Sequence, residues 1–255
     1  MRVFLMTDME GVAGVTNFEE FVTPAGRYYE IGRQLTTGEV SAAVEGALLA
    51  GADEVLVADG HGSTAIDPLL LHPAARLLSP CTGYPFGLDQ GPFDCALIIG
   101  QHAKAGTLDG HLWHTGTLEV VDTTINGLSV GEMGEIMLLA AEFGAPTVAL
   151  SGDAAACREA QALVPGIATA AVKQGLDRRS ALHLHPEVAR GLIRDAVRDG
   201  IARREELPLL RLTPPYDMVV TWQHADQPLQ RGRKSGATLL EVLSKPYDEI
   251  TEVPA

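Results

Sequence analysis

The chain opens Met1-Arg2-Val3-Phe4-Leu5-Met6-Thr7-Asp8-Met9-Glu10-Gly11, an apolar run that stops abruptly in two acids and a glycine. Arg2 to Thr7 shows no polar–apolar alternation, so it reads as a strand buried on both faces, as in parallel sheets. The design recurs twice. Glu54-Val55-Leu56-Val57-Ala58 runs into Asp59-Gly60-His61-Gly62, and Cys95-Ala96-Leu97-Ile98-Ile99 runs into Gly100-Gln101-His102-Ala103. Stretches of helical periodicity separate such runs. Arg27 to Ala50 places Ile31, Leu35, Ala42 and Leu49 on one stripe, with Gly51 as the stop. Val130 to Phe143 does the same with Val130, Met133, Met137, Ala140 and Ala141, closed by Gly144. Further strands are expected at Leu118–Ile125, Thr147–Leu150 and Met218–Trp222. Helices are expected from Ser151-Gly152-Asp153 to about Leu163 and from Glu187 to Arg204, while Ala237–Leu243 fits either form. Strands alternating with helices give the α/β class. The texture changes after Lys173: charges cluster between Asp177 and Glu206, and a proline-rich stretch, Pro208–Pro215, follows. A boundary is therefore expected there, dividing the chain into residues 1–173 and 174–255.

The 255 residues carry 33 Asp and Glu against 19 Lys and Arg, a formal net charge of −14. That balance argues against nucleic acid as a main partner and against an anionic membrane surface, both of which call for a basic face. It suits small neutral or cationic ligands, or metal ions held by some of the carboxylates. No apolar run approaches the ~20 residues that span a bilayer, and the apolar start is too short for a secretory segment. Cys81, Cys95 and Cys157 are scattered and odd in number, which disfavours a disulfide framework or a thiolate zinc site and leaves a reducing cytoplasm as the expected location.

In open α/β sheets, ligands bind in the crevice beyond the carboxyl ends of the strands. Asp8, Glu10, His61 and His102 each lie just past a predicted strand, so they are expected to converge. Gly131-Glu132-Met133-Gly134 adds a carboxylate in the first turn of a helix, between glycines that let other backbone approach. The set Asp8, Glu10, His61, His102 and Glu132 mixes carboxylate with imidazole, which suits zinc better than magnesium. Five ligands exceed the three protein ligands usual at a single catalytic zinc, so two ions with a bridging carboxylate are expected, and Asp8 is the natural bridge. Two ions about 3.5–4 Å apart polarise a carbonyl and ionise a shared water. The acid/base group such chemistry needs is expected in Gly110-His111-Leu112-Trp113-His114-Thr115-Gly116, with His114 preferred and His111 as the alternative. Each residue also has a plainer account: Asp8 and Glu10 as an acidic turn, His61 as a loop histidine, His102 as a sheet-edge histidine, Glu132 as a helix-start carboxylate. Only their recurrence at separate strand ends favours a shared site. Gly11-Val12-Ala13-Gly14 lacks the dinucleotide spacing, Ser63 has no neighbouring activator in sequence, and His183 with His185 reads as an adventitious surface pair.

The opening Thr7-Asp8-Met9-Glu10-Gly11-Val12-Ala13-Gly14 resembles that of the DppA-type zinc-dependent D-aminopeptidases. The similarity continues through Leu71-His72-Pro73-Ala74-Ala75, Gly100-Gln101-His102-Ala103, Val130-Gly131-Glu132-Met133-Gly134 and Thr169-Ala170-Ala171-Val172-Lys173-Gln174, to Leu212-Thr213-Pro214-Pro215. The resemblance implies a Rossmann-like three-layer domain with a mostly parallel sheet and a smaller C-terminal α/β domain. It implies two zinc ions per subunit on Asp8, Glu10, His61, His102 and Glu132, a catalytic His114, and self-association into a ring. The implied activity is an aminopeptidase acting on short peptides with an N-terminal D-residue such as D-Ala. The family loop before the catalytic histidine is one residue shorter than Gly106–His114, which keeps His111 in view. A different amidohydrolase on the same metals, and a non-catalytic metal- or peptide-binding oligomer, are the rival readings.

Overall fold

The computed structural model describes residues 1–225 and 227–253. Among the described residues, twelve strands follow in chain order: β1 (Arg2–Thr7), β2 (Glu54–Ala58), β3 (Ala75–Leu78), β4 (Cys95–Gln101), β5 (Val120–Ile125) and β6 (Leu128–Ser129). The others are β7 (Thr147–Asp153), β8 (Ala168–Asp177), β9 (Ser180–His183), β10 (Tyr216–Trp222), β11 (Leu229–Gly236) and β12 (Glu249–Val253). The α-helices are α1 (Tyr29–Leu49), α2 (Glu132–Glu142), α3 (Ala154–Leu163), α4 (Pro186–Ala202) and α5 (Leu239–Ser244).

Seven strands form one sheet in the order β3-β2-β1-β4-β7-β8-β9, parallel throughout except where β9 turns back on β8. The runs without alternation are the inner strands of this sheet, because helices cover both faces. Along β1, Val3 and Leu5 pack with α1 and α4 residues such as Val44 and Ile193, while Phe4 and Met6 face the side of α2 and α3, with Met137 and Ala156. This is the expected three-layer α/β architecture. Chain order reverses between β1 and β4, and in such sheets that switch point opens the ligand crevice. The remaining strands form a five-stranded sheet, β12-β11-β10-β5-β6, whose ladders are all antiparallel. Its Ile125, Met218 and Val220 join the core on the α2 side.

Strand pairing groups the chain differently from a cut after residue 173. That position lies inside β8, and the rest of β8, β9 and α4 belong to the larger sheet, with α4 packed on α1. The smaller sheet takes β5 and β6 from the first half of the chain, because the Asn126-Gly127 hairpin reaches across to pair with β10. The expected stripe of α1 also shifts. Ile31 and Leu49 are exposed, and the buried face is Tyr29, Gly32, Thr36, Val40, Ala43, Val44 and Ala47. Wedged between the sheet and α4, the helix turns its small residues inward, which lets three layers approach closely. Ala237–Leu243 resolves as helix, since the Thr238 hydroxyl caps α5 by accepting from the Glu241 amide.

Candidate metal centre

The ends of β1 and β4 run so close together that neither tolerates a side chain. A Cβ on Gly11 would lie 2.1 Å from the Gln101 carbonyl oxygen, and one on Gly100, whose φ is +82°, would lie 2.2 Å from that of Asp8. The Asp8 amide donates to the Ile99 carbonyl and the Gly11 amide to the Gly100 carbonyl, at 2.9 and 2.7 Å. This contact puts Asp8 against His102. Its Oδ2 lies 3.3 Å from His102 Nε2 and accepts from Gln101 Nε2 at 3.0 Å, while the Met9 amide donates to Oδ1.

Two donor groups meet there. Asp8, Glu10 and His61 form one, with His61 Nε2 3.5 Å from Glu10 Oε1; His102, His114 and Glu132 form the other. Glu132 Oε1 is 3.5 Å from His102 Nε2 and 3.6 Å from His114 Nε2, and it accepts from the Gly116 amide at 2.7 Å. Asp8 belongs to the first group and reaches the second through His102. The structure thus brings all five expected ligands and His114 to one place.

The three rings are oriented alike. His102 Nδ1 donates to the Ala103 carbonyl at 2.9 Å and His114 Nδ1 to the Leu112 carbonyl at 3.0 Å, while His61 Nδ1 lies 3.2 Å from the Ser63 hydroxyl. A carbonyl only accepts, so on His102 and His114 Nδ1 carries a proton and Nε2 is the nitrogen turned toward the carboxylates, the orientation of metal-ligating histidines. His102 Nε2 and Glu10 Oε2 are buried without a hydrogen-bond partner among the described residues. Buried polar atoms rarely stay unpaired, and a cation between these donors satisfies both. The donor set therefore fits zinc.

Electrostatics divide the groups. Burial, and then the neighbouring Glu10, hold the Asp8 carboxyl well above its usual range. Burial would also raise Glu10 and Glu132, but His61 holds Glu10 well below its usual range and His102 brings Glu132 down to about 2. Burial opposes charge on His61 and His102, yet Glu10 lifts the first to about 9 and Glu132 the second to about 10. His114 goes the other way. Burial and the cationic His102 stacked on it, ring centroids 4.0 Å apart, lower its pKa. It is the imidazole of the centre that stays neutral, and Phe18 stands edge-on to its ring.

His111 is held elsewhere: its Nε2 donates to the Thr16 carbonyl at 3.1 Å, and burial takes its pKa down to about 3. His183 and His185 form no pair. His183 accepts the Gly14 amide through Nδ1, and His185 caps α4. The Ser63 hydroxyl lies 3.2 Å from His61 Nδ1 and donates to the Val22 carbonyl. Three residues to which the sequence assigns no place at the site hold the ligand loop. The buried Lys173 ammonium donates to the carbonyls of Glu10 and Val15, Glu39 accepts the Ala13 amide at 2.9 Å, and His183 accepts that of Gly14 at 3.0 Å. One signal was available: a lysine closing the apolar run Ala170-Ala171-Val172.

The fold is three-layer α/β, and its site gathers carboxylates and imidazoles able to hold metal. The family of D-aminopeptidases, peptidase family M55, matches residues 1–238, and the chain belongs to it. It is 33% identical over 232 residues to a D-aminopeptidase of Bacillus subtilis strain 168, covering 89% of this chain and 82% of that one. Among solved structures it matches the zinc-dependent D-aminopeptidase DppA of Bacillus subtilis, described as a self-compartmentalizing protease. The TM-score is 0.86 at 26% identity, over 95% of this chain and 94% of that one.

Proposed function

We propose that this protein is a zinc-dependent aminopeptidase that removes the N-terminal residue, of D configuration such as D-Ala, from short peptides and amino-acid amides. Asp8, Glu10, His61, His102 and Glu132 would hold two zinc ions, with Asp8 between them. The observation that carries this reading is the common orientation of the rings, each with Nδ1 engaged by the protein and Nε2 turned toward a carboxylate. Zinc bound there would supply Lewis acidity at the scissile carbonyl and ionise water near neutral pH.

The remaining chemistry falls to the chain. Because Leu112 fixes His114 Nδ1 and the ring stays neutral, Nε2 is a proton acceptor poised at the edge of the centre. It takes a proton from the water that attacks the scissile carbonyl and returns it to the departing nitrogen as the C–N bond breaks. The acids lining the centre favour a substrate with a free, cationic N-terminus over one with a blocked amine. D configuration rests on the similarity to D-aminopeptidases. Self-association into a ring-like homo-oligomer is supported by the self-compartmentalizing relative and by large exposed side chains such as Leu69 and Leu108. Among the described residues no helix is long and apolar enough to cross a membrane. A cytoplasmic setting accords with three buried free cysteines.

Metal analysis of protein purified without added metal, together with turnover of D-alaninamide, L-alaninamide and N-acetyl-D-alaninamide, tests the reading. About two zinc ions per chain are expected, halved or lost in Asp8→Ala and His102→Ala, with turnover of the free D-amide. Turnover of the blocked amide alone would overturn it.

A further inference from the structure

A cavity of about 350 Å³ opens beside the centre, between α2 and the smaller sheet. Asp8 and Glu132, one acid from each donor group, stand on its near side. Ile136, one helical turn beyond Glu132, lines it together with Met218 and Val220 of β10 and Leu243 of α5. All four are buried. Polar groups reach it too, and the two charged ones beyond the centre already have partners. Glu135 accepts from the Tyr84 hydroxyl, and the Lys234 ammonium donates to the carbonyls of Leu243 and Lys245 and lies over the Tyr247 ring. Most of the surface the cavity offers a ligand is apolar. Apolar cavities of about 150 Å³ hold a benzene molecule, so this one has room for far more than a methyl group.

We propose that this cavity is a subsite for a bulky apolar substrate side chain, of leucine or phenylalanine size, next to the scissile bond. The proposal rests on the aminopeptidase reading. The side chain belongs either to the residue removed or to the one that follows it, and the recognition chemistry is the same in both cases. A substrate carrying only methyl groups leaves the wall uncovered and forgoes the transfer energy of each missing methylene.

Two substrate series test this by kcat/KM. D-Alaninamide, D-leucinamide and D-phenylalaninamide vary the first side chain; D-Ala-D-Ala and D-Ala-D-Leu vary the second. One series is expected to rise at least about ten-fold from alanine to leucine, since each methylene in an apolar pocket discriminates by about ten-fold or more. The series that rises identifies which side chain enters. Val220→Phe, which fills the cavity, should bring that ratio close to one. Turnover of the alanine substrates with no rise in either series overturns the subsite and leaves the activity standing. An advantage that survives Val220→Phe also overturns the assignment. Absence of turnover with every substrate overturns the aminopeptidase reading and the subsite with it.

Discussion

Lys173→Met removes the support beneath the ligand loop while keeping the length and apolar stem of the side chain. The ammonium is buried, and burial brings its pKa down to about 8 even with Asp153 and Glu39 nearby. It donates to the carbonyls of Glu10 and Val15, which frame the segment between the first ligands and α1. Methionine leaves both acceptors without that donor, at about 1–3 kcal/mol each, so the loop is loosened by roughly 2–6 kcal/mol. The substitution also removes a buried charge whose net cost, judged from a pKa moved from 10.5 to about 8, is about 3 kcal/mol. The two effects offset one another in global stability but not at the loop. The expected result is a small change in the denaturation midpoint beside a zinc affinity weakened about 10- to 100-fold, the loss typical when an outer support of a metal site is removed. Chelator-competition titration with zinc, run beside urea melts of wild type, Lys173→Met and Lys173→Arg, measures both quantities. The arginine variant keeps the charge and donors and should fall between the other two. A folded Lys173→Met protein that binds zinc within about two-fold of wild type would refute the idea that Lys173 positions the ligands.

Other expectations follow from the same contacts. His114→Ala should lower kcat about 10²- to 10⁴-fold with zinc content unchanged, as for an acid/base group; loss of half the metal would instead make it a ligand. Burial raises the Glu39 carboxyl to about 8 from 4.5. The folded state therefore holds that proton more tightly than the unfolded one, and the contribution to stability is complete below pH 4.5 and lost as pH rises through 8. The ceiling is about 5 kcal/mol, and Glu39→Gln, which still accepts the Ala13 amide, should flatten the stability profile across that window in denaturant melts. Gly100→Ala should abolish metal binding, because its Cβ would meet the Asp8 carbonyl at 2.2 Å; normal zinc stoichiometry in that variant would contradict the packing of β1 on β4. Removing zinc with chelator should lower the melting temperature, and restoring it at 100-fold above its dissociation constant should return about 3 kcal/mol.

What the sequence made legible depends on how far each residue's role is set by its own strand. Asp8, Glu10, His61 and His102 were readable because a parallel sheet delivers the carboxyl ends of β1, β2 and β4 to one edge, so position along the strand already fixes position in the site. Glu132 was readable as the opening of α2, whose stripe of Met133, Met137, Ala140 and Ala141 is buried as its spacing predicts. Lys173, Glu39 and His183 were not, because their partners are backbone groups of residues 10 to 15, more than twenty residues away in the chain, and no local pattern records an acceptor supplied by a loop. The sheet that takes the hairpin of β5 and β6 was not readable for a related reason. Its strand and turn are local, but its sheet is chosen by β10, some ninety residues later. The choice between His111 and His114 shows the same limit at its smallest scale. Both lie in one glycine-bounded loop, and what separates them is which carbonyl each ring meets: Thr16 takes Nε2 of His111 and occupies it, whereas Leu112 takes Nδ1 of His114 and leaves Nε2 facing Glu132. On the proposed reading, the role of each histidine follows from which ring nitrogen the backbone occupies, a property of the folded loop that residue type and spacing do not encode.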